Sequence, residues 1–440
     1  MARRIAFVAV LLVAAGAGGL WWSRRSQPPP PPPPERVLFE RKIPGWATAK
    51  ARKDMPFAEL QAAKDLAKPW PAIVEALEAI DRAWPSEEKT KAAVASLNEA
   101  AGEAGLAYWV DVVVYAKLPY LLTYDVLARS TWELEGKRKL LLRVRRLDHV
   151  NIEMGYLGHA GGDVPVVLVD RLEPSVMESI EKSFKEAPDG NAVNQAALRF
   201  WRKAVEAKAG AEALAKGAGQ LARREQLFGA MRGHLKDGRV VVAKPEKLTW
   251  GEDFFESLMP ATDYKLKGGP LLVAGDVRDL RRADEALREG EGRRALDLAL
   301  ELEARATEAH EARHALDPDE VPIPEPLLME VGDDDLEFAR GAERELRAYL
   351  GQLHDAEVPP CITVTRLAIQ AGGAKARATP HHYAGTLLLE TLSPTGIDGL
   401  PKLIEELCSA PEDEVRKKVE AVYKSLYGTP MKAAKRFAAN

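Results

Sequence analysis

His310-Glu311-Ala312-Arg313-His314 is the segment whose residue types and spacing match a known chemistry. Two histidines four positions apart share one face of a helix, so both imidazoles can reach a single metal ion. The glutamate between them can reach a water activated by that ion and take its proton. The surroundings favour a helix. Arg294 to Leu316 contains no Gly or Pro and is rich in Ala, Leu and Glu. Asp317-Pro318 then ends it, because the residue before a proline is pushed out of the helical region. On a helical wheel the histidines fall with Ala295, Leu296, Ala299 and Ala306, the apolar side that faces a core. Glu303 and Asp317 fall there too. Each is a candidate to orient a histidine, the plainer alternative being a partly exposed helix charge.

A zinc site of this kind needs a third protein ligand. Here the sequence resembles the zincin metallopeptidases. The metzincin extension would place Gly at 317 and His at 320, whereas this chain has Asp317 and Glu320. The gluzincin pattern takes a glutamate from a second helix, often in an ExxA setting, and Glu345-Leu346-Arg347-Ala348 has that form. Asp334 and Glu337 have capping-box spacing and predict a helix running to about Leu353. Glu343 and Glu345 both lie at the edge of the face formed by Ala339, Ala342, Leu346, Leu350 and Leu353, so the wheel alone leaves both open. The resemblance favours Glu345. It implies zinc on His310, His314 and Glu345, a water in the fourth position, and Glu311 as general base. It also implies a downstream His or Tyr that stabilises the developing oxyanion. His381-His382-Tyr383 offers Tyr383 and His382 for that task, with His381 or His382 as an alternative third ligand and a surface pair opening a helix as the plainer reading. Arg313 departs from the stricter motif, which has uncharged residues between the Glu and the second His, and the wheel turns it to the side of the metal face. The resemblance spans about Ala295 to Tyr383; the rest of the chain resembles no family.

The elements that must position these residues belong to a chain of 440 residues, 46% hydrophobic and 29% charged, which excludes wholesale disorder. A net charge of −4 argues against a general nucleic-acid binder. Two cysteines exclude a disulfide scaffold and a multi-cysteine metal site. Cys361 and Cys408 can form one disulfide in an oxidising compartment. Neither a GxSxG elbow nor a GxxxxGK[ST] loop is present.

Ile5 to Trp22 carries no charge and reaches about 27 Å as a helix, enough to cross a bilayer. Trp21, Trp22, Arg24 and Arg25 close it as an interfacial boundary. An uncleaved anchor is the favoured reading. A cleaved signal peptide ending near Ala15-Gly16-Ala17 is the alternative. The proline run Pro28–Pro34 is expected to form a polyproline II spacer of about 22 Å. Glu35 to about Lys53 reads as basic and irregular.

The expected organisation is a membrane anchor or signal segment over 1–25, a Pro-rich spacer over 26–56, an α+β domain over 57–275 and a mainly helical zincin-like domain over 276–440. Helical patterning runs from about Phe57 to Ala104. Short β-rich runs from Tyr108 to Val169 read as a meander, and helical patterning returns over Ser175–Lys185 and Asn191–Leu235. Beyond Asp276 the pattern is helical apart from Cys361-Ile-Thr-Val-Thr, which reads as a strand. The basic stretch Lys137–Arg146 reads as a strand with a solvated cationic side. The fold class is α+β. The function expected is a zinc metallopeptidase anchored in the inner membrane, its body in the periplasm or outside the cell, acting on a peptide or protein and not on nucleic acid. A non-enzymatic envelope protein with a fortuitous HExxH is the alternative. The discriminator is whether Glu345 comes within ligand distance of both histidines.

Overall fold

A computed structural model describes residues 34–46 and 71–438, apart from the segments 116–117, 149–156, 160–163, 186–191, 238–241, 260–261, 263–264, 267–268, 271–273, 319, 333–334, 373–378 and 394–398. The expected membrane segment Ile5–Trp22 and prolines 28–33 lie outside these residues. Among the described residues no helix is long and apolar enough to cross a membrane.

Helices and a small mixed sheet make the fold α+β. The chain divides into two compact units. The first comprises residues up to Leu106 with Val110–Thr123 and Leu147–Val150; the second comprises Ala107–Trp109, Tyr124–Arg146 and everything from Asn151 onward. The division expected near Asp276 falls inside the second unit.

In the first unit Pro34–Val37 is helical and runs into a π-helical turn, Leu38–Lys42. The expectation of irregular chain from Glu35 is corrected here, because Leu38, Phe39, Ile43 and Trp46 are all buried and a helical course brings them to one side. Helices α1 (Pro71–Ala83) and α2 (Glu87–Glu103) bury Ile73, Leu77 and Ile80 together with Val94, Leu97 and Ala101. The Asn98 side chain exchanges two 2.8 Å hydrogen bonds with the backbone of Val110 and so ties α2 to strand β1 (Tyr108–Tyr115).

The sheet runs β1-β2-β3-β5-β4, with β2 at Leu118–Leu134, β3 at Lys137–Arg146, β4 at Gly158–His159 and β5 at Val166–Leu168. It is not a pure meander: β5 lies parallel to β3, and β4 is the antiparallel strand at the edge. Helices α3 (Val169–Phe184), α4 (Ala192–Ala209) and α5 (Ala211–Asp237) follow. Next come α6 (Glu252–Leu258), the two-residue strands β6 (Lys265–Leu266) and β7 (Gly269–Pro270), and α7 (Ala274–Glu285).

Helix α8 (Gly290–Leu316) is the central element of the second unit. It packs against α3, α4, α5, β3, β4 and β5. Its Ala295, Leu296, Ala299 and Ala306 enter a core with Trp132, Leu141, Val167, Leu172 and Trp201. Helices α9 (Glu325–Val331), α10 (Leu336–His354), α11 (Pro360–Gly372), α12 (Pro380–Leu392), α13 (Leu400–Ser409) and α14 (Glu412–Tyr427) surround a second core. Strand β8 (Lys435–Ala438) returns to pair with the end of β2.

Two local expectations change. Cys361–Thr365 is helical, the first turn of α11, and not a strand. Every residue of that run is buried, and the helical cost of β-branched residues, at most about 0.7 kcal/mol each, yields to such packing. The cations of β3 are not all solvated. Arg143 pairs with Glu301 and Glu308 of α8, and Arg145 lies 2.7 Å from Glu173 of α3. Alternation along a strand puts both on the face that the helices cover. Cys361 and Cys408 are joined in a disulfide between α11 and α13.

Candidate metal centre

Helix α8 delivers His310, Glu311 and His314 one turn before its end. The Lys137 ammonium caps that end by donating to the Leu316 carbonyl at 3.3 Å. Helix α10 delivers Glu345. It starts at Asp335, whose carboxylate accepts from the Phe338 N–H at 2.9 Å, a cap one residue later than the spacing of Asp334 predicts. Helices α8 and α10 pack together where the two cores meet.

There the two histidine Nε2 atoms are 3.0 Å apart, His310 Nε2 is 3.0 Å from Glu345 Oε2, and His314 Nε2 is 3.4 Å from Glu345 Oε1. Zinc bonds of about 2.0–2.1 Å in a tetrahedron separate ligand atoms by about 3.3–3.4 Å, so this set fits such an ion. Two facing imidazole nitrogens are otherwise compatible only if one of them carries a proton. Of the two glutamates that the wheel left open, Glu345 is the one that stands beside the histidines. Glu343 is fully buried and paired with Arg347 four residues on, at 2.6 Å, whereas Glu345 reaches both histidines.

His381, in the first turn of α12, brings Nδ1 to 2.9 Å from Glu345 Oε2. His310, Glu345 and His381 form a group that can hold a metal ion, their ligand atoms within 4.8 Å of one another. Tyr349, one turn after Glu345, lies with its ring centre 4.8 Å from that of His310 and its hydroxyl 3.0 Å from His381 Nδ1; that hydroxyl donates to Gln370 Oε1 at 2.9 Å.

His382 and Tyr383 are not brought to the cluster. His382 Nδ1 lies 3.5 Å from the Gln370 carbonyl, and the Tyr383 ring packs edge-on against Phe338 at 5.5 Å. Successive helical residues are about 100° apart, so with His381 facing Glu345 its two successors point elsewhere. The signal for His381 was present in the His-His-Tyr sequence, but not the register that selects among its members. Tyr349 belongs to no motif in the sequence; only its spacing, four residues after Glu345 on one helix, places it on the same side.

Neither Glu303 nor Asp317 orients a histidine. Glu303 accepts from Trp201 Nε1 at 2.7 Å and pairs with Arg366, while Asp317 pairs with Arg313 at 2.9 Å and with Arg347 at 3.6 Å. His310 Nδ1 is buried without a hydrogen-bond partner among the described residues. Arg313, the departure from the strict motif, is 3% exposed and donates to the Lys432 carbonyl at 2.8 Å. It passes close over Gly351 of α10, where a Cβ would sit 2.3 Å from its Cγ. The arginine thus packs α8 against α10.

Electrostatics set the members apart. Burial pushes the His310 pKa down to about 4, which leaves a neutral imidazole suited to a cation. Burial pushes the Glu311 carboxyl up to about 7. Burial also pulls Glu345 upward, but its contacts with three histidines outweigh this and hold its carboxyl well below the usual range. For His314 burial acts downward and is overcome by Glu345, so its pKa is raised. Burial pushes the Tyr349 hydroxyl up, so it stays a neutral donor. Glu311 lies beneath edge strand β4, where a Cβ on Gly158 would come within 2.5 Å of its Cγ and Oε1.

No protein-family model matches the chain, no curated protein matches it, and no solved structure matches it.

Proposed function

We propose that this chain is a zinc-dependent peptide hydrolase, held at a membrane by its N-terminal segment with its body in an oxidising compartment outside the cytoplasm. One observation carries the reading. Two helices bring His310, His314 and Glu345 within 3.0–3.4 Å of one another, with Glu311 beside them. The Cys361–Cys408 bond supports the compartment, since such bonds persist where the environment is oxidising.

His310 and His314 would hold the ion through Nε2 and Glu345 through its carboxylate. Zinc, when bound, supplies Lewis acidity toward a water and a scissile carbonyl. The remaining work falls to the chain. Glu311, buried beside the two histidines, takes a proton from the attacking water and returns it to the leaving amine. Tyr349 fixes His381 at the rim through its hydroxyl. The apolar packing of α8 against the sheet excludes water from the rear of the site.

The test is metal analysis and peptide hydrolysis with the full chain, purified in detergent without chelator. About one zinc per chain is expected, lost in His310→Ala and His314→Ala. Glu311→Gln is expected to keep zinc and lose about 10²–10⁴-fold in kcat. No zinc after incubation with the metal, or full turnover in Glu311→Gln, would sink the reading.

A further inference from the structure

His310, Glu345 and His381 bring ligand atoms within 4.8 Å of one another, yet the contacts of His381 give it a part other than holding the ion. Its Nδ1 has two close neighbours, Tyr349 Oη at 3.0 Å and Glu345 Oε2 at 2.9 Å. The Tyr349 hydroxyl directs its one proton to Gln370 Oε1 at 2.9 Å, so toward His381 its oxygen can only accept. An ionised carboxylate also only accepts. Both neighbours of Nδ1 are therefore acceptors, and the nitrogen between them carries a proton whether the ring is neutral or charged. A protonated nitrogen has no lone pair for a metal. What it presents to Glu345 is the positive end of an N–H dipole. Glu345 Oε2 is buried and makes no aligned hydrogen bond among the described residues, so this dipole, 2.9 Å away, acts on an oxygen that nothing else satisfies there.

We propose that His381 is a positioning residue for Glu345: its Nδ1–H, aimed by Tyr349 and Gln370, holds the carboxylate turned toward His310 and His314 and so raises the affinity of the centre for zinc. The proposal rests on the metal-centre reading above and deepens it. The parts come from three helices. Glu345 and Tyr349 stand one turn apart on α10, Gln370 near the end of α11 and His381 in the first turn of α12. Tyr349 is buried, whereas the His381 side chain is 46% exposed. A half-exposed imidazole left to itself would sample several rotamers, and the buried hydroxyl selects the one that brings Nδ1–H to Oε2. Groups that orient a metal-binding carboxylate in this way are typically worth about 10–100-fold in metal affinity.

The experiment titrates zinc into the full, metal-free chain in competition with a chromophoric chelator, and follows urea unfolding of the same metal-free samples. His381→Ala removes the N–H and is expected to weaken zinc binding about 10–100-fold. His381→Asn restores an N–H near the position of Nδ1, on an amide nitrogen that is no metal ligand, and its affinity is expected to stay close to that of the wild type. The urea midpoints of both metal-free variants are expected to match the wild type, since the side chain is 46% exposed. Equal weakening in the two variants would make the ring itself, and not its N–H, the requirement. Unchanged affinity in His381→Ala would remove His381 from the centre. Either result overturns the proposal and leaves the hydrolytic reading standing. A weakening matched by a lower urea midpoint would reduce His381 to a structural contact and overturn the proposal too. A wild-type chain that binds no zinc overturns both.

Discussion

Helix α8 carries three buried glutamates, Glu303, Glu308 and Glu311, at 7%, 1% and 6% exposure, and their surroundings differ. Glu308 meets three arginines: Arg143, Arg305 at 3.1 Å and Arg436 at 3.2 Å. Glu303 meets Arg366 and the Trp201 indole. Glu311 has no ion pair or hydrogen bond among the described residues, and sits between the histidines and the backbone of Gly158. Burial is common to all three, so burial is not what makes a carboxylate reactive. Arginine partners make Glu303 and Glu308 fasteners between α8, β3, β8 and α11. Among the described residues Glu311 has no arginine partner, and burial pushes its carboxyl up to about 7.

The largest expected effect tests the fastener side. Glu308→Gln removes the charge that three arginines share, and breaking a buried ionic cluster from one side costs about 3–5 kcal/mol. Glu301→Gln removes a neighbouring partner of Arg143 whose side chain is 46% exposed, and should cost under about 1 kcal/mol. Urea unfolding of both variants measures the difference, and zinc content should be unchanged in each. Equal losses would show that Glu308 is no more a fastener than a surface charge.

The next effect tests the reactive side, in metal-free chain. Glu311 has a folded pKa of about 7, above the ordinary carboxyl value of 4.5. Its contribution to stability is therefore fully present below pH 4.5 and lost as pH rises through 7. At about 1.36 kcal/mol per pKa unit, a glutamine there should stabilise the chain by up to about 3 kcal/mol at pH 8 and by little at pH 4.5. Denaturant unfolding of wild type and Glu311→Gln at the two pH values, after chelator treatment, reads this directly. A gain independent of pH would mean that the glutamine acts through packing and not through the protonation of Glu311.

These contrasts were unevenly legible in the sequence. His310 and His314 follow from four-residue spacing on a helix whose apolar stripe points inward, and α8 keeps that face. Glu345 followed from the ExxA resemblance alone. Yet Arg347 stands four residues after Glu343, the spacing of a helical ion pair, and that pair is what removes Glu343 from the site. The choice among His381, His382 and Tyr383 depends on the rotation of α12 against α10, which no local pattern encodes. The strand expected at Cys361–Thr365 fails for a related reason: its β-branched residues are buried on a helix by contacts distant in sequence. The arginine partners of Glu308 come from β3, from its own helix and from β8, so two of the three are invisible in any window around α8.

Gly158 is the extreme case, since nothing in its sequence neighbourhood points to Glu311, and it supplies the smallest of the expected effects. β4 pairs Gly158 with Val167 and so carries its backbone across the glutamate. A methyl group at Gly158 would lie 2.5 Å from Glu311 Cγ and Oε1, closer than non-bonded atoms approach. Either β4 shifts or the carboxylate rotates. The proposed ligands stand on α8 and α10, so Gly158→Ala should bind zinc as the wild type does while losing about 1–3 kcal/mol of stability to overpacking. Turnover should fall by up to about 10²-fold, the scale of a misplaced catalytic group. Metal content, kcat and thermal unfolding on one preparation separate these effects. A variant with normal turnover would mean that the histidine side of the site, and not β4, aims Glu311. The contrast with Glu308 would then reduce to its arginine partners, because among the described residues no glycine presses on Glu308.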